Sequence, residues 1–237
     1  MKTFLIETVD NQVQYDFTFH LVEAVKHQNW LYSEPLYDIV YSEKEDKWNY
    51  KDYIPVGSLE FVFNHIEQYY GKSKDSIKPI NIPQELMQLE FLKRKVELSN
   101  KKDIILSNKK FIKSHDRYKG YTEIVADVTG VPDGNYIVSD CIEVHSEWRA
   151  FIIQGKLVGL QNYLGNFTLF PDVPLIQKMI THYKSSPLSY TLDVGINATG
   201  TFIIEVHPFV SCGLYGFSDY KHLPIMFIQG FNYLLKQ

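Results

Sequence analysis

Asp193 and Glu205 lie on consecutive stretches of strand-forming residues, 190–196 and 201–207. In the first, the two-residue period puts Tyr190, Leu192, Val194 and Ile196 on one face and Thr191 and Asp193 on the other. In the second, Phe202, Ile204 and Val206 share a face, with Ile203, Glu205 and His207 opposite. A three-residue connection, Ala198-Thr199-Gly200 with glycine at the left-handed position, predicts a hairpin that pairs Asn197 with Thr201 and Asp193 with Glu205. A loop one residue longer sends the two carboxylates to opposite faces. Carboxylates facing each other across a strand pair repel unless positive charge lies between them. A divalent cation supplies that charge, and oxygen ligands favour Mg²⁺ or Mn²⁺. His207, on the same face, is then a third ligand or a polar neighbour. On spacing alone the pair reads equally well as two acidic side chains on a solvated sheet. Glu205 is flanked by Ile203, Ile204 and Val206, as in a buried strand, and that favours the metal.

The elements that must position this hairpin are written upstream. Phe4–Ile6 predicts an opening strand, 17–27 a helix with Phe17, Leu21, Val22, Ala24 and Val25 along it, and 36–41 a second strand. The charged run 42–47 is expected to be exposed. Residues 58–70 carry Leu59, Val62, Phe63 and Ile66 on one helical side, with Gly71 as the stop. The polar, proline-bearing stretch 72–83 is the expected boundary between a small αβ unit, 1–80, and the remainder, 81–237. Pro83 then opens a helix along Leu86, Leu89 and Leu92, and Lys93-Arg94-Lys95 reads as its solvated end. From Asp103 the pattern is mostly β: Phe111-Ile112-Lys113, then 136–144, then a hairpin of 148–154 and 157–163 around Gly155-Lys156. Asp172-Val173-Pro174 opens a helix carrying Leu175, Ile176, Met179, Ile180 and Tyr183, and a closing helix starts near Asp219.

The 237 residues carry 24 basic and 28 acidic side chains, a net charge of −4, which offers no general electrostatic grip on nucleic acid or an anionic membrane. Hydrophobic residues at 45% and charged ones at 22% exclude a wholly disordered chain. Two cysteines, Cys141 and Cys212, are too few for a disulfide framework. No apolar run approaches the roughly 20 residues of a membrane span. A cytoplasmic protein with no nucleic-acid or membrane partner is therefore expected. Aromatics reach 15%, with 17 tyrosines, which points to large contact surfaces without naming a ligand.

The runs Leu192-Asp193-Val194, Phe202-Ile203-Ile204-Glu205-Val206-His207-Pro208 and Gly213-Leu214-Tyr215-Gly216 together resemble the C-terminal signature of ATP-grasp ligases. In that family an aspartate, a glutamate and usually an asparagine hold the Mg²⁺ that bridges ATP phosphates. Asp193 and Glu205 match, and His207 stands at the asparagine position, which shifts the expected ion toward Mn²⁺. Phe111-Ile112-Lys113 resembles the strand whose lysine reaches the phosphates. The usual glycine-rich loop is replaced by Ser114-His115-Asp116-Arg117-Tyr118-Lys119-Gly120, so the resemblance gives Lys119 part of that work. Residues 137–144 resemble the adenine hinge, with Asp140, Ile142, Glu143 and Val144 as base-pairing positions. Ser146-Glu147-Trp148-Arg149 resembles the next strand, where Glu147 would meet ribose hydroxyls and Arg149 the phosphates. The combination is most similar to the small phage and bacterial branch named for one arginine and two lysines, here Arg149, Lys113 and Lys119, with Arg94 or Lys93 as competitors.

The resemblance runs from about residue 85 to the end. It implies an α+β ATP-grasp fold, antiparallel sheets with packed helices, preceded by a small αβ pre-grasp unit. It also implies ATP and Mg²⁺ or Mn²⁺ as cofactors, and ligation of a carboxylate to an amine through an acyl phosphate, with Arg149 and Lys119 as catalytic groups. Amino acid, peptide or protein substrates all remain open. Thr191 replaces an arginine that many relatives carry two positions before the metal aspartate, so the acyl end of the site is expected to differ. His207 and Thr191 also leave open a degenerate nucleotide-binding protein with a regulatory or partner-binding role.

Overall fold

The computed structural model describes residues 1–32, 34–42 and 50–237. Most of the charged run at 42–47 falls outside these. The run Phe4-Leu5-Ile6 is buried on both faces of β1 (Lys2–Val9). Parallel strands meet that environment, and β1 lies between β3 (Tyr37–Ser42) and β4 (Ile54–Val56), parallel to both. A short β2 (Gln12–Val13) folds back antiparallel on its end. Two helices pack on this sheet, α1 (Asp16–Leu31) and α2 (Leu59–Tyr70). The second starts where Ser58 accepts the Phe61 N–H and stops at left-handed Gly71.

Leu86, Leu89 and Leu92 do not form one helix. Residues 84–86 make a 3₁₀ turn, α3 (Leu89–Leu92) is a single α-helical turn, and Lys93 turns left-handed at φ 52°. Three-residue spacing suits a 3₁₀ turn as well as an α-helix. Leu86 and Leu92 find a core while Leu89 is exposed, so nothing holds the middle of a longer helix. A strand that the pattern did not announce, β5 (Val96–Asn100), follows at once. With β6 (Lys110–Ser114), β7 (Thr122–Val125) and β8 (Asn135–Asp140) it forms an antiparallel sheet in the order β5-β8-β6-β7. The last strand ends at Asp140 rather than Val144, where the Asp140 carboxylate accepts the Lys95 N–H (3.1 Å) and pairs with Lys110.

The other antiparallel sheet, ordered β10-β9-β11-β12, comprises β9 (Ser146–Ile153), β10 (Lys156–Gly165), β11 (Ser189–Asn197) and β12 (Gly200–Pro208). The turn into β10 is Gln154-Gly155, both at positive φ (50° and 73°), one residue earlier than expected. Between the hairpins runs α4 (Val173–His182), capped by Asp172 accepting the Leu175 N–H. The closing α5 (Leu223–Lys236) begins after Asp219, whose carboxylate accepts the Lys221 and His222 N–H groups of the preceding turn.

The whole is α+β, with its two antiparallel sheets facing a shared cleft. One apolar cluster runs from Phe4, Leu21 and Ile66 through Phe151 to Phe209, Leu214 and Phe231, so the first strands share a core with the last helix. A second core lies between the β9–β12 face, α4 and residues 82–92. No helix among the described residues is long and apolar enough to cross a membrane.

His65, on α2, is 4% exposed against the rings of Tyr69, Tyr70 and Phe231, and burial lowers its pKa to about 4. The folded chain holds it neutral, whereas the unfolded chain protonates it from about pH 6.5 downward. Its stabilisation is complete above that pH and is lost as pH falls toward 4. His65→Gln is expected to remove at most about 3 kcal/mol of acid-induced loss, read from urea midpoints at pH 7 and pH 4. Equal losses in both proteins would contradict this.

Candidate functional site

The strands β11 and β12 close through two residues, Ala198-Thr199, with Asn197 opposite Gly200, and not through the expected three. A regular ladder from that turn would oppose Asp193 to Ile204 and put Glu205 on the far face. A β-bulge restores the pairing: Ile204 is the extra residue, and Asp193 lies opposite Glu205, as expected but for a different reason. The bulge also changes which apolar residues turn inward. Ile203 joins Val206 in the core, while Ile204 faces the cleft between the sheets. Two positions beyond Asp193, Gly195 opposes Phe202, and a Cβ there would stand 2.4 Å from the ring.

Each carboxylate has a cation. Arg149 lies opposite Asp193 across β9 and β11 and forks onto it, Nε to Oδ1 at 2.8 Å and Nη2 to Oδ2 at 2.7 Å. Asp193 is 2% and Arg149 8% exposed, so this is a buried bidentate pair. Lys113, from the facing sheet, pairs with Glu205 Oε2. His207 Nε2 lies 3.1 Å from Glu205 Oε1 and 3.8 Å from Asp193 Oδ2. Burial alone would raise the Glu205 pKa, but the His207 hydrogen bond and the charges of His207 and Lys113 hold it at about 2. Burial opposes the charge on Arg149 too, and Asp193 overrides it and raises its pKa.

A cavity of about 400 Å³ opens beside these groups, lined by Lys113, Arg117, Lys119, Arg149, Glu205 and His207 among others. Its cations outnumber its single carboxylate, so it suits an anionic ligand. Lys119 is exposed at φ 52° on the loop after β6. Tyr118 lines this cavity. Tyr163 is the extra residue of a bulge in β10; its hydroxyl donates to Glu147 Oε2 at 2.6 Å, and its ring stacks on Tyr215. Both rings face the Arg149 guanidinium, at 5.7 and 5.1 Å. The loop 212–216 lies on the site, with the Gly213 carbonyl accepting from Arg149 at 3.1 Å. Asp16, at the start of α1, holds this loop through the Leu214 and Tyr215 N–H groups.

A second, narrow cleft of about 20 Å³ lies between the sheets, its lining including Arg94, Phe111, Lys113, Ile137, Ser139, Ile204 and Glu205. Arg94 is therefore no part of a solvated helix end. It donates to Ser139 Oγ at 2.9 Å and to the Ile203 carbonyl at 2.9 Å, it stands over the Phe202 ring, and burial lowers its pKa to about 10. Of the expected hinge residues, Asp140 ends β8 and Ile142, Glu143 and Val144 follow it, and none of the four lines either cavity. Asp140 is held by Lys110, and the Glu143 carbonyl accepts from Asn197 at 3.1 Å. Glu147 faces Tyr163. Sequence reasoning missed Asp16, which carries no motif, and weighed Arg94 only as a competitor within a basic run.

Asp193, Glu205 and His207 each offer a ligand atom, all within 4.8 Å of one another. Two carboxylate oxygens and one imidazole nitrogen suit Mg²⁺ and, more readily, Mn²⁺. The residues fit a divalent ion, provided that Arg149 and Lys113 release carboxylate oxygens as they turn to another anion.

Residues 91–223, just over half of the chain, match the family described as the ATP-grasp domain of R2K clade family 2. No curated protein matches the chain. Among solved structures, D-alanine–D-alanine ligase from Bacillus anthracis is 13% identical, with 99% of this chain and 98% of that one covered and a TM-score of 0.54. A RimK-domain ATP-grasp protein from Sphaerobacter thermophilus is 10% identical over 100% of both chains, with a TM-score of 0.57. D-cycloserine synthetase is 9% identical over 98% of this chain and 99% of that one, with a TM-score of 0.60. At these identities the likeness is one of fold.

The buried pair gives a stability prediction. Arg149→Ala leaves Asp193 buried without its cation and is expected to lose about 3–5 kcal/mol in urea unfolding, whereas Arg149→Met with Asp193→Leu together should lose much less. Equal losses would contradict the pairing.

Proposed function

The chain belongs to the R2K clade of ATP-grasp domains, and on that premise we propose that it is an ATP-dependent ligase joining a carboxylate to an amine. The observation that carries this reading is the set Lys113–Glu205 and Arg149–Asp193, with His207 between the carboxylates, at the wall of a cation-rich cavity. Two carboxylates already neutralised by two cations form an exchangeable set. When triphosphate enters, Lys113, Lys119 and Arg149 turn to its oxygens, and Asp193, Glu205 and His207 are left to a divalent cation. That cation, when bound, would neutralise charge on the phosphates.

In this reading the acyl donor's carboxylate oxygen attacks the γ-phosphorus, the bond to the β-phosphate oxygen breaks, and ADP leaves. Phosphoryl transfer of this kind needs cationic clamping and positioning more than covalent help, which is what Lys113, Lys119 and Arg149 offer. The amine nitrogen then attacks the acyl carbon, phosphate leaves with the C–O bond's electrons, and the amine's proton is lost. Tyr215, Tyr163 and the 212–216 loop would keep water from the acyl phosphate. We read residues 1–80 as a pre-grasp unit before the grasp domain at 81–237. Leu59 lines the cavity and Asp16 holds the loop, which supports a share for that unit in the acceptor side. Phe111, Ile137 and Ile204, which line the narrow cleft, are candidates for the walls of the adenine slot.

One observation favours a second reading. The slot, at about 20 Å³, has room for little more than one water, which needs roughly 10–15 Å³, so a purine enters only if the sheets part. A chain whose sheets stay together would be a degenerate member with a regulatory or partner-binding role.

Calorimetry with ATP, with and without Mg²⁺ or Mn²⁺, separates the two. Micromolar, metal-dependent binding is expected, lost in Glu205→Gln and at least tenfold weaker in Lys113→Ala, with the fold of both variants intact by circular dichroism. Absence of binding under every metal would overturn the ligase, and unchanged affinity in Glu205→Gln would remove the metal assignment.

A further inference from the structure

Asn81 carries three features that the reading above does not use. It is 2% exposed, and its Oδ1 has no hydrogen-bond partner. Its Nδ2 donates to the His115 carbonyl at 2.9 Å, on the loop after Lys113, and this fixes the amide so that Oδ1 is the acceptor left over. Its backbone stands at φ 55°, in the left-handed region. A buried unpaired acceptor and a left-handed non-glycine residue are both unfavourable, and they persist together at sites where the surroundings impose them.

The placement says what the residue is near. Asn81 pairs with Val206 in an isolated bridge, its carbonyl accepting the Val206 N–H at 2.7 Å, and Val206 is the residue between Glu205 and His207. Asn81 also lines both cavities, sharing Lys113 and Glu205 with each and His207 with the larger. The nearby cation, Lys113, is committed to Glu205. An amide oxygen is a hard, neutral donor, the kind Mg²⁺ and Mn²⁺ accept readily, and it adds no third negative charge to two carboxylates. We infer that Asn81 contributes its amide oxygen to the divalent cation of Asp193, Glu205 and His207, directly or through a water on the ion. This rests on the metal reading above.

The test counts Mn²⁺ by electron paramagnetic resonance, as the loss of the free-ion signal on titration of the full chain with a non-hydrolysable ATP analogue present. Asn81→Gly removes the amide while glycine keeps the left-handed backbone and the bridge to Val206. It is expected to weaken Mn²⁺ about tenfold or more, as loss of a supporting ligand does elsewhere. Asn81→Asp keeps an oxygen at the same reach and is expected to bind Mn²⁺ at least as tightly as the wild type. Wild-type affinity in the glycine variant, with Glu205→Gln losing the ion, would leave Asn81 a structural tie and overturn the inference. Weakened Mn²⁺ binding in the aspartate variant would overturn it as well, so the claim stays open to refutation if the glycine variant does not fold. Wild-type affinity in Glu205→Gln would remove the metal site, and Asn81's role with it.

Discussion

Two carboxylates held face to face on a largely buried hairpin are the constraint around which this molecule is arranged. Asp193 and Glu205 repel, and Asp193 has almost no water to screen it. Each therefore needs a cation, and each takes it from a different element: Arg149 from the neighbouring strand of the same sheet, Lys113 from the facing one. The second pair ties the two sheets across their cleft. Because the fold already balances these charges, the proposed entry of a polyanion with a divalent cation would change partners among groups that are in place, with little need for new ones.

The rest of the site surrounds those partners closely. Arg149 is held on one side by Asp193 and on the other by the Gly213 carbonyl and two tyrosine rings. The loop that carries Gly213 and Tyr215 is anchored from the far end of the chain, by Asp16, and the core beneath it runs from Phe4 to Phe231. The first eighty residues thus touch the site through packing, through Leu59 and through the Asp16 carboxylate. In the proposed reading their contribution is positional.

How much of this was legible in the sequence depended on the range of the interaction. The facing carboxylates were legible because strand period and an apolar setting are local. The turn and the ladder were both misjudged, by one residue each, and the two errors cancelled: a shorter loop plus the Ile204 bulge gives the register that a longer loop without a bulge would give. The ATP-grasp fold followed from motif order. Lys113 and Arg149 entered by resemblance, since nothing local marks a lysine or an arginine as the partner of a distant carboxylate. Arg94 was misplaced because its leucine spacing reads as helix, while the chain there makes only isolated turns. The place of Tyr163 carried no sequence signal because a bulge sets its direction, and that of Asn81 none because a left-handed backbone and an isolated bridge leave no pattern.

The exchange of ion partners is the central claim, and anomalous diffraction at the manganese edge reads it directly. Crystals grown with Mn²⁺ and a non-hydrolysable ATP analogue should show one anomalous peak among Asp193, Glu205 and His207, with Lys113 and Arg149 turned toward phosphate oxygens. A bound nucleotide with both ion pairs intact and no manganese peak there would contradict the account.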